Sequence, residues 1–150
     1  MPELEAKAGG PGSLSILLGA DYGYAAYGSG VFTSEKMIAD KPDVVQRFVK
    51  AYLQAFKFVV ENPQQAVDIV VAANPEYKGK EETLRKQLDA DIKSTFFSAY
   101  TKQHGIGAIG DKQWAETAQV LKEQGMLPAD FSAAGGYNAS FVDKGDALRR

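Results

Sequence analysis

The stretch TSEKMIADKPDVVQRFVKAYLQAFKFVVENPQQAVDIV, residues 33–70, predicts three helices in a row. Thr33 or Ser34 can cap a short first helix. That helix has to end near Lys41, because the residue before Pro42 is pushed away from helical backbone angles. Pro42 itself suits the first turn of the next helix, where the missing backbone N–H is not needed. The proline therefore marks a boundary between two helices.

Residues 43–61 have the pattern of one long amphipathic helix, with apolar side chains recurring every three or four positions. These apolar positions are Val45, Phe48, Tyr52, Phe56 and Val59. At the end of this helix, Asn62 is expected to accept hydrogen bonds from the free N–H groups of a following helix that begins at Pro63. That helix, QQAVDIVVAA at residues 64–73, leaves little polar face and is expected to be more buried than its predecessor.

Two more helices are predicted further along the chain. Residues 80–99 repeat large apolar side chains at four-residue spacing, and acid-before-base pairs at the same spacing mark a solvated face. The apolar positions are Leu84, Leu88, Ile92 and Phe96. Asp111 is a candidate cap for a last helix, which Gly125 should end in a left-handed conformation.

The segment before residue 33 has a different pattern. LSILLGA, residues 14–20, is a short apolar run after a turn-prone GGPGS and predicts a buried strand. YAAYGSGVFT, residues 24–33, reads as extended but broken by glycines. About two strands and about five helices make an unbalanced set, since two adjacent strands alone form a marginal sheet. The fold is therefore either essentially helical or the second half of something larger.

Composition excludes several function classes. The formal net charge of -2 gives no basic field for nucleic acid, and with no cysteine there can be no disulfide, thiolate metal site or cysteine nucleophile. His104, the single histidine, has no second histidine or cysteine beside it and is read as an exposed loop residue, so no metal site is expected. No segment approaches the roughly eighteen uninterrupted apolar residues of a membrane span, and MPELEAKAGG is not an export signal.

The run at residues 33–70 resembles the C-terminal portion of ABC-transporter solute-binding proteins of the nitrate, sulfonate, taurine and thiamine-precursor group, which are NMT1/THI5-like. The shared pattern is a short helix after a serine, a proline, a long helix with Phe48 and Ala51, and then Asn62-Pro63 followed by Ala66. A G-x-G before Asp111, then Trp114 and Gly125-Met126-Leu127, also resemble that family. The resemblance covers roughly residues 1–142.

The resemblance implies an α/β parent of the type II periplasmic binding fold, with two lobes hinged around a ligand. This chain would be a mostly helical fragment with about two strands near its N-terminus. Residues 1–20 would be a remnant of the second lobe, 21–33 the crossover between lobes, and 34–150 the helical C-terminal part of the first lobe. A truncated reading frame, removal of the other half, or a second chain or dimer that completes the sheet would each account for the missing strands.

The parent would be periplasmic or lipid-anchored and would deliver a small solute of the sulfonate, nitrate or thiamine-precursor type to an ABC permease, without a cofactor. On the crossover, Tyr22, Tyr24, Tyr27 and Gly28 are the candidate ligand-binding residues, because aromatic rings give contact area at little entropic cost. The alternative is that the tyrosines only pack between strand and helix. Trp114, at helical spacing, is read as a core residue.

Two other functions remain open. One is a helical interaction or regulatory module of the same origin that binds no solute. The other is an enzyme resembling the thiamine-pyrimidine synthases, whose chemistry draws on a histidine and a cysteine-rich motif. That enzyme is disfavoured because this chain has no cysteine, and no Ser-His-acid arrangement or phosphate loop is found. A binding role without catalysis is the expected function.

Overall fold

The computed structural model describes residues 2–24 and 26–142, and this part of the chain is mostly helical. It contains seven α-helices and two short 3-10 turns, the turns being Gly19–Tyr22 and Pro75–Tyr77. The helices are α1 (Pro2–Lys7), α2 (Glu35–Asp40), α3 (Pro42–Glu61), α4 (Pro63–Ala73), α5 (Glu81–Ser94), α6 (Ala99–His104) and α7 (Asp111–Glu123).

The boundaries of α2, α3 and α4 lie where the local sequence predicts them. Ser34 Oγ accepts a hydrogen bond from the Met37 N–H at 3.1 Å, which makes Ser34 the cap of α2. Pro42 and Pro63 each occupy the first position of a helix. The role predicted for Asn62 is wrong: its Nδ2 donates to the Phe58 carbonyl at 3.2 Å, so its side chain closes the end of α3 instead of capping α4.

The helix predicted over residues 80–99 ends earlier than expected, and a second helix follows it. α5 ends at Ser94, and a new helix begins after Ser98. Ser98 Oγ accepts from the Thr101 N–H at 3.1 Å, while Thr101 Oγ1 accepts from the Ser98 N–H at 2.9 Å. This reciprocal capping box satisfies two backbone donors and fixes the start of α6.

The predicted end of the last helix is confirmed. Gly125 has a φ of 70°. Its N–H donates to the Lys122 carbonyl at 2.9 Å, and the Met126 N–H donates to the Leu121 carbonyl at 2.8 Å. These two bonds form the Schellman pattern, which requires a residue that tolerates a left-handed backbone.

The two N-terminal strands predicted from the sequence are not formed: residues 2–24 and 26–142 contain no strand. Residues 15–18 are irregular, and Ile16, Leu17 and Leu18 are exposed. At the end of this run, the Asp21 N–H donates to the Leu18 carbonyl at 3.0 Å and starts the turn Gly19–Tyr22. A strand exists only through hydrogen bonds to a neighbouring strand, and the described residues supply no such neighbour.

Helix α4 packs against both α3 and α5, while α2 packs against α3 and α1 against α5. The side chains of α3 that turn inward are Val45, Val49, Leu53, Phe56 and Val60. Val60 is 4% exposed, and the Phe56 ring centroid lies 4.7 Å from that of Phe96. Of the apolar positions predicted for this helix, Val45 is buried and Phe56 and Val59 are partly buried, whereas Phe48 and Tyr52 are exposed.

Helix α4 is less buried than expected. Ala66 and Val67 are buried, but Ile69 and Val70 on its other side are exposed. Within residues 2–24 and 26–142, none of the helices has the length and apolar composition that a membrane crossing requires.

Candidate ligand-binding site

The candidate ligand-binding residues do not form one cluster. Tyr22 is 75% exposed and Tyr24 is 50% exposed, whereas Tyr27 is partly buried against the helical body. Gly28 is exposed, and an added methyl group would meet nothing within 4 Å. The structure therefore gives Tyr27 a different environment from the other two tyrosines.

Tyr27 attaches residues 21–33, the segment predicted to be the crossover, to α7 and to the residue before it. Its hydroxyl accepts a hydrogen bond from the Gly110 N–H at 2.9 Å, and its own N–H donates to Thr117 Oγ1 at 3.0 Å. Gly110 and Thr117 are both buried, and the Tyr27 ring centroid lies 6.3 Å from that of Trp114. These contacts therefore favour the alternative interpretation of Tyr27, in which the side chain packs against a helix and does not bind the ligand.

Trp114 belongs to an aromatic cluster beneath this attachment point. Its Nε1–H donates to the Ala133 carbonyl at 2.9 Å, and its ring meets the Tyr137 ring edge-on at a centroid distance of 5.5 Å. The Tyr137 hydroxyl donates to Asp111 Oδ1, and this bond raises the pKa of Tyr137 to about 12. The cluster joins the segment around residues 133–137 to α7, the helix to which Tyr27 is also bonded.

Tyr22 and Tyr24 stand outside this cluster. Tyr22 lies in the 3-10 turn, and the Tyr24 N–H donates to the Gly19 carbonyl at 2.9 Å. A methyl group on Gly19 would lie 3.2 Å from Tyr24 Cβ, so the glycine lets the tyrosine fold over the turn. Further along, Phe32 is 95% exposed. Residues 21–33 thus carry three exposed aromatic side chains, Tyr22, Tyr24 and Phe32, and Tyr27 attaches this segment to α7.

This aromatic surface is suited to stacking and poorly suited to binding an anion through charge. Residues 21–33, DYGYAAYGSGVFT, contain no lysine or arginine, and their one ionisable acid is Asp21. Aromatic rings pair well with flat, uncharged partners in offset or edge-on contact. The local chemistry therefore favours a planar ligand.

His104 lies at the end of α6 and not in a loop as expected. Its ring stacks on Tyr100 at a centroid distance of 4.1 Å, and its Nδ1 lies 3.0 Å from the Tyr100 carbonyl oxygen. The described residues contain no group of three or more histidine, cysteine, aspartate or glutamate side chains that could hold a metal ion.

Sequence reasoning missed three residues that organise the site, namely Gly110, Thr117 and Tyr137. The hydrogen bonds of Tyr27 to Gly110 and Thr117 span 83 and 90 residues. No local sequence pattern predicts contacts between residues so far apart in the chain. One usable signal was the glycine directly before Asp111, because a side chain on Gly110 would meet the Tyr100 ring at 3.0 Å.

Residues 3–66, which include the crossover and the helices up to the start of α4, match the family model described as NMT1/THI5 like. Over this part, the chain is similar to the NMT1/THI5-like family. This confirms the resemblance found in the sequence, and the family is one of solute-binding proteins. The chain is also 28% identical over 133 residues to the riboflavin-binding protein RibY of Chloroflexus aurantiacus. That alignment includes 88% of this chain but only 37% of RibY. No solved structure matches the chain.

Proposed function

We propose that this chain supplies one wall of the ligand cleft of a solute-binding component of an ABC importer. The observation that carries the proposal is the exposure of three aromatic side chains, Tyr22, Tyr24 and Phe32, on a segment that Tyr27 attaches to α7. A wall of this kind offers contact area on a rigid base, which reduces the entropy lost when a ligand binds. Because the alignment includes 37% of RibY, the remaining walls would come from sequence outside this match.

The lobe assignment follows from the family resemblance. Residues 1–20 would belong to the second lobe, 21–33 would cross between the lobes, and 34–150 would belong to the first lobe; of these, residues 1, 25 and 143–150 lie outside the described structure. In such a protein, closure of the lobes around the solute presents the complex to a permease. The assembled protein would work outside the cytoplasm, in the periplasm or anchored to a lipid.

The ligand that this wall fits best is a planar heteroaromatic compound, of the flavin or thiamine-precursor type. The name of RibY supports a flavin, and the lack of lysine and arginine in residues 21–33 argues against nitrate or a sulfonate held by this wall. We expect binding without turnover, because neither a nucleophile with its base nor a metal cluster is found within the described residues.

Riboflavin fluorescence tests the proposal, since stacking on tyrosine quenches it. The aligned segment of RibY is replaced by the corresponding residues of this chain, and riboflavin is titrated into the hybrid protein. We expect saturable quenching that is at least tenfold weaker when Tyr22 and Tyr24 are both changed to alanine. Changing Tyr77, which lies in the 3-10 turn after α4, to alanine is the matched control and should leave the affinity within about twofold.

Unchanged riboflavin affinity in the Tyr22/Tyr24 double variant would refute the assignment of this wall. Titration of the isolated chain adds a second readout, because one wall alone should bind riboflavin far more weakly than the hybrid. Nitrate, taurine and the thiamine pyrimidine are then tried as competitors. Displacement by nitrate or taurine, but not by the pyrimidine, would overturn the proposed ligand class.

A second candidate is the interaction module, and the circumference of α3 favours it. At about 3.6 residues per turn, the apolar side chains of this helix cover roughly 220° of its surface, far more than one packed face requires. The stripe beside the inward one is open, with Phe48 57% and Tyr52 46% exposed and their rings stacked at 6.4 Å. It continues into an apolar groove of about 450 Å³ between α3, α4 and α5.

The total exposed area leads to the same conclusion. The chain exposes 10789 Å², whereas a compact protein of its mass exposes roughly 7,500 Å². Even if residues 1, 25 and 143–150 were fully exposed, they would explain only about 1,600 Å² of the difference. The chain is therefore suited to being covered, on the exposed segment before α2 as well as on the helices, either by the rest of a solute-binding protein or by a second chain that completes the sheet.

Light scattering and binding of the dye anilinonaphthalene sulfonate test whether the isolated chain exposes an apolar surface for a partner, as the interaction module requires. We expect the isolated chain to bind the dye or to self-associate, and the change of Phe48 and Tyr52 to glutamine to reduce both. Changing Lys50 and Gln54, on the polar side of the same helix, to alanine is the control. A monomer that binds no dye would exclude the interaction module while leaving the riboflavin test unaffected.

A further inference from the structure

A second groove lies on the other side of α5, away from the crossover tyrosines. It has a volume of about 580 Å³, within the range of small-molecule sites. Its lining residues are Val60, Pro63, Arg85, Asp89, Ile92, Lys93, Phe97 and Lys102. They come from α3, α4, α5, α6 and the α5–α6 connection, so the groove is formed only when these elements pack together.

The floor of the groove is apolar. Val60 is the most deeply buried of the lining residues, and Ile92 and Phe97 are partly buried beside it. A fully hydrated inorganic ion gains nothing from such a floor, whereas an aliphatic or aromatic group does, at roughly 25 cal/mol per Å² removed from water. The floor therefore selects for a ligand with an apolar part.

Arg85 provides an oriented donor at the rim. Its Nε donates to Asp89 Oδ2 at 3.2 Å, and its Nη2 lies 2.8 Å from Asp89 Oδ1. This fork occupies one edge of the guanidinium and leaves the Nη1 N–H groups for another acceptor. Because Arg85 is only partly exposed and its position is fixed, a bond to an incoming oxyanion requires little further ordering.

The rest of the rim is cationic. Lys93 comes from the end of α5 and Lys102 from α6, so two separate helices bring ammonium groups to the same groove. With Asp89 already paired to Arg85, the lining side chains carry three cations against one carboxylate. The net positive charge lies beside an apolar floor, which is an arrangement complementary to an amphiphilic anion.

We infer that this groove binds a small organic anion, namely a carboxylate or phosphate monoester attached to an apolar or aromatic group. The anionic end lies near Lys93 and Lys102 with Arg85 Nη1 as a directed donor, and the apolar part lies on Val60, Ile92 and Phe97. The groove shares no residue with the tyrosine surface. The inference therefore does not depend on the proposed flavin-type ligand.

The test is an NMR titration of the ¹⁵N-labelled chain with phenyl phosphate and with benzoate. Benzyl alcohol, which has the ring alone, and inorganic phosphate, which has the charge alone, are the comparison ligands. We expect saturable amide shifts around residues 85–102 with phenyl phosphate or benzoate, at an affinity at least tenfold higher than for either comparison ligand. Saturable binding of either probe supports the inference and identifies the anionic group.

A matched pair of variants tests the contribution of the two lysines. Lys93→Gln with Lys102→Gln should weaken binding at least tenfold. Lys112→Gln with Lys122→Gln makes the same change of net charge on α7, outside the groove, and should leave the affinity within twofold. Equal affinities of the two double variants, or shifts spread over lysines throughout the chain, would overturn the inference. Neither result changes the outcome expected for the riboflavin titration, because the two sites share no residue.

Discussion

Replacing Tyr27 by phenylalanine removes one oxygen atom and tests whether this tyrosine is an anchor. The Gly110 N–H donates to that oxygen at 2.9 Å, and Gly110 is buried at the position just before α7. In the variant, this backbone donor has lost its partner. A buried unsatisfied donor costs about 1–3 kcal/mol of unfolding free energy, because water cannot replace the missing acceptor.

The expected change is large enough to measure in a domain of this size. Each 1 kcal/mol lowers the melting temperature of a 150-residue domain by about 2–4 °C, so Tyr27→Phe should lower it by roughly 2–12 °C. Urea unfolding followed by the fluorescence of Trp114 gives the free energy directly. Trp114 is the one tryptophan in the sequence, and its ring centroid lies 6.3 Å from that of Tyr27.

Tyr22→Phe is the matched control, since it removes the same atom from a side chain that is 75% exposed. The stability of this variant should stay within about 0.5 kcal/mol of the parent. Thr117→Val tests the other end of the attachment, because it leaves the Tyr27 N–H without the acceptor that lies at 3.0 Å. If Tyr27→Phe and Tyr22→Phe were equally stable, Tyr27 would not be the anchor, and the rigid base proposed for the aromatic wall would be lost.

Three further predictions concern the rest of the described chain. Gly107→Ala should destabilise by about 1–3 kcal/mol, because φ is 89° and the new methyl would lie 3.2 Å from a leucine side chain, whereas Gly28→Ala should be neutral in urea unfolding. The raised pKa of Tyr137, about 12 against 10.0, means that its hydrogen bond stabilises the fold below pH 10 and that this stabilisation is lost between pH 10 and 12. Absorbance near 295 nm should show one tyrosine ionising last, and Tyr137→Phe should remove it. Val67→Ala should cost about 1–3 kcal/mol, but Phe48→Gln less than about 0.5, and the reverse order in thermal melts would refute the assignment of the open face.

Local chemistry accounts for the helix boundaries that the sequence predicted correctly. Ser34 can cap α2, prolines can begin α3 and α4, and Gly125 can end α7, because each acts through backbone groups within a few residues. The break between α5 and α6 also has a local cause, the capping box at Ser98. The sequence pattern did not predict this break, because the apolar four-residue spacing continues across it.

For the tyrosine site, the local sequence does not predict which of the three tyrosines is partly buried. All three crossover tyrosines share one short glycine-rich segment, and nothing within it distinguishes Tyr27 from Tyr22. The difference arises from partners 83 and 90 residues away, which only the packing of α7 brings together. The same holds for the groove lined by Arg85, Lys93 and Lys102, because the sequence does not show that residues of α5 and α6 line one groove.

The sequence by itself determined the starts of α2, α3 and α4 and the end of α7, and it indicated the resemblance to the NMT1/THI5-like family, because these depend on short-range spacing and on residue order. The tertiary structure alone decided which stripe of α3 turns inward and that the apolar run at residues 14–20 forms no strand. Both depend on the surface that is available for packing. An apolar helix face or a strand becomes fixed only when a neighbouring element removes it from water or pairs with its backbone, and within the described residues those neighbours are present for one side of α3 and absent for the strand.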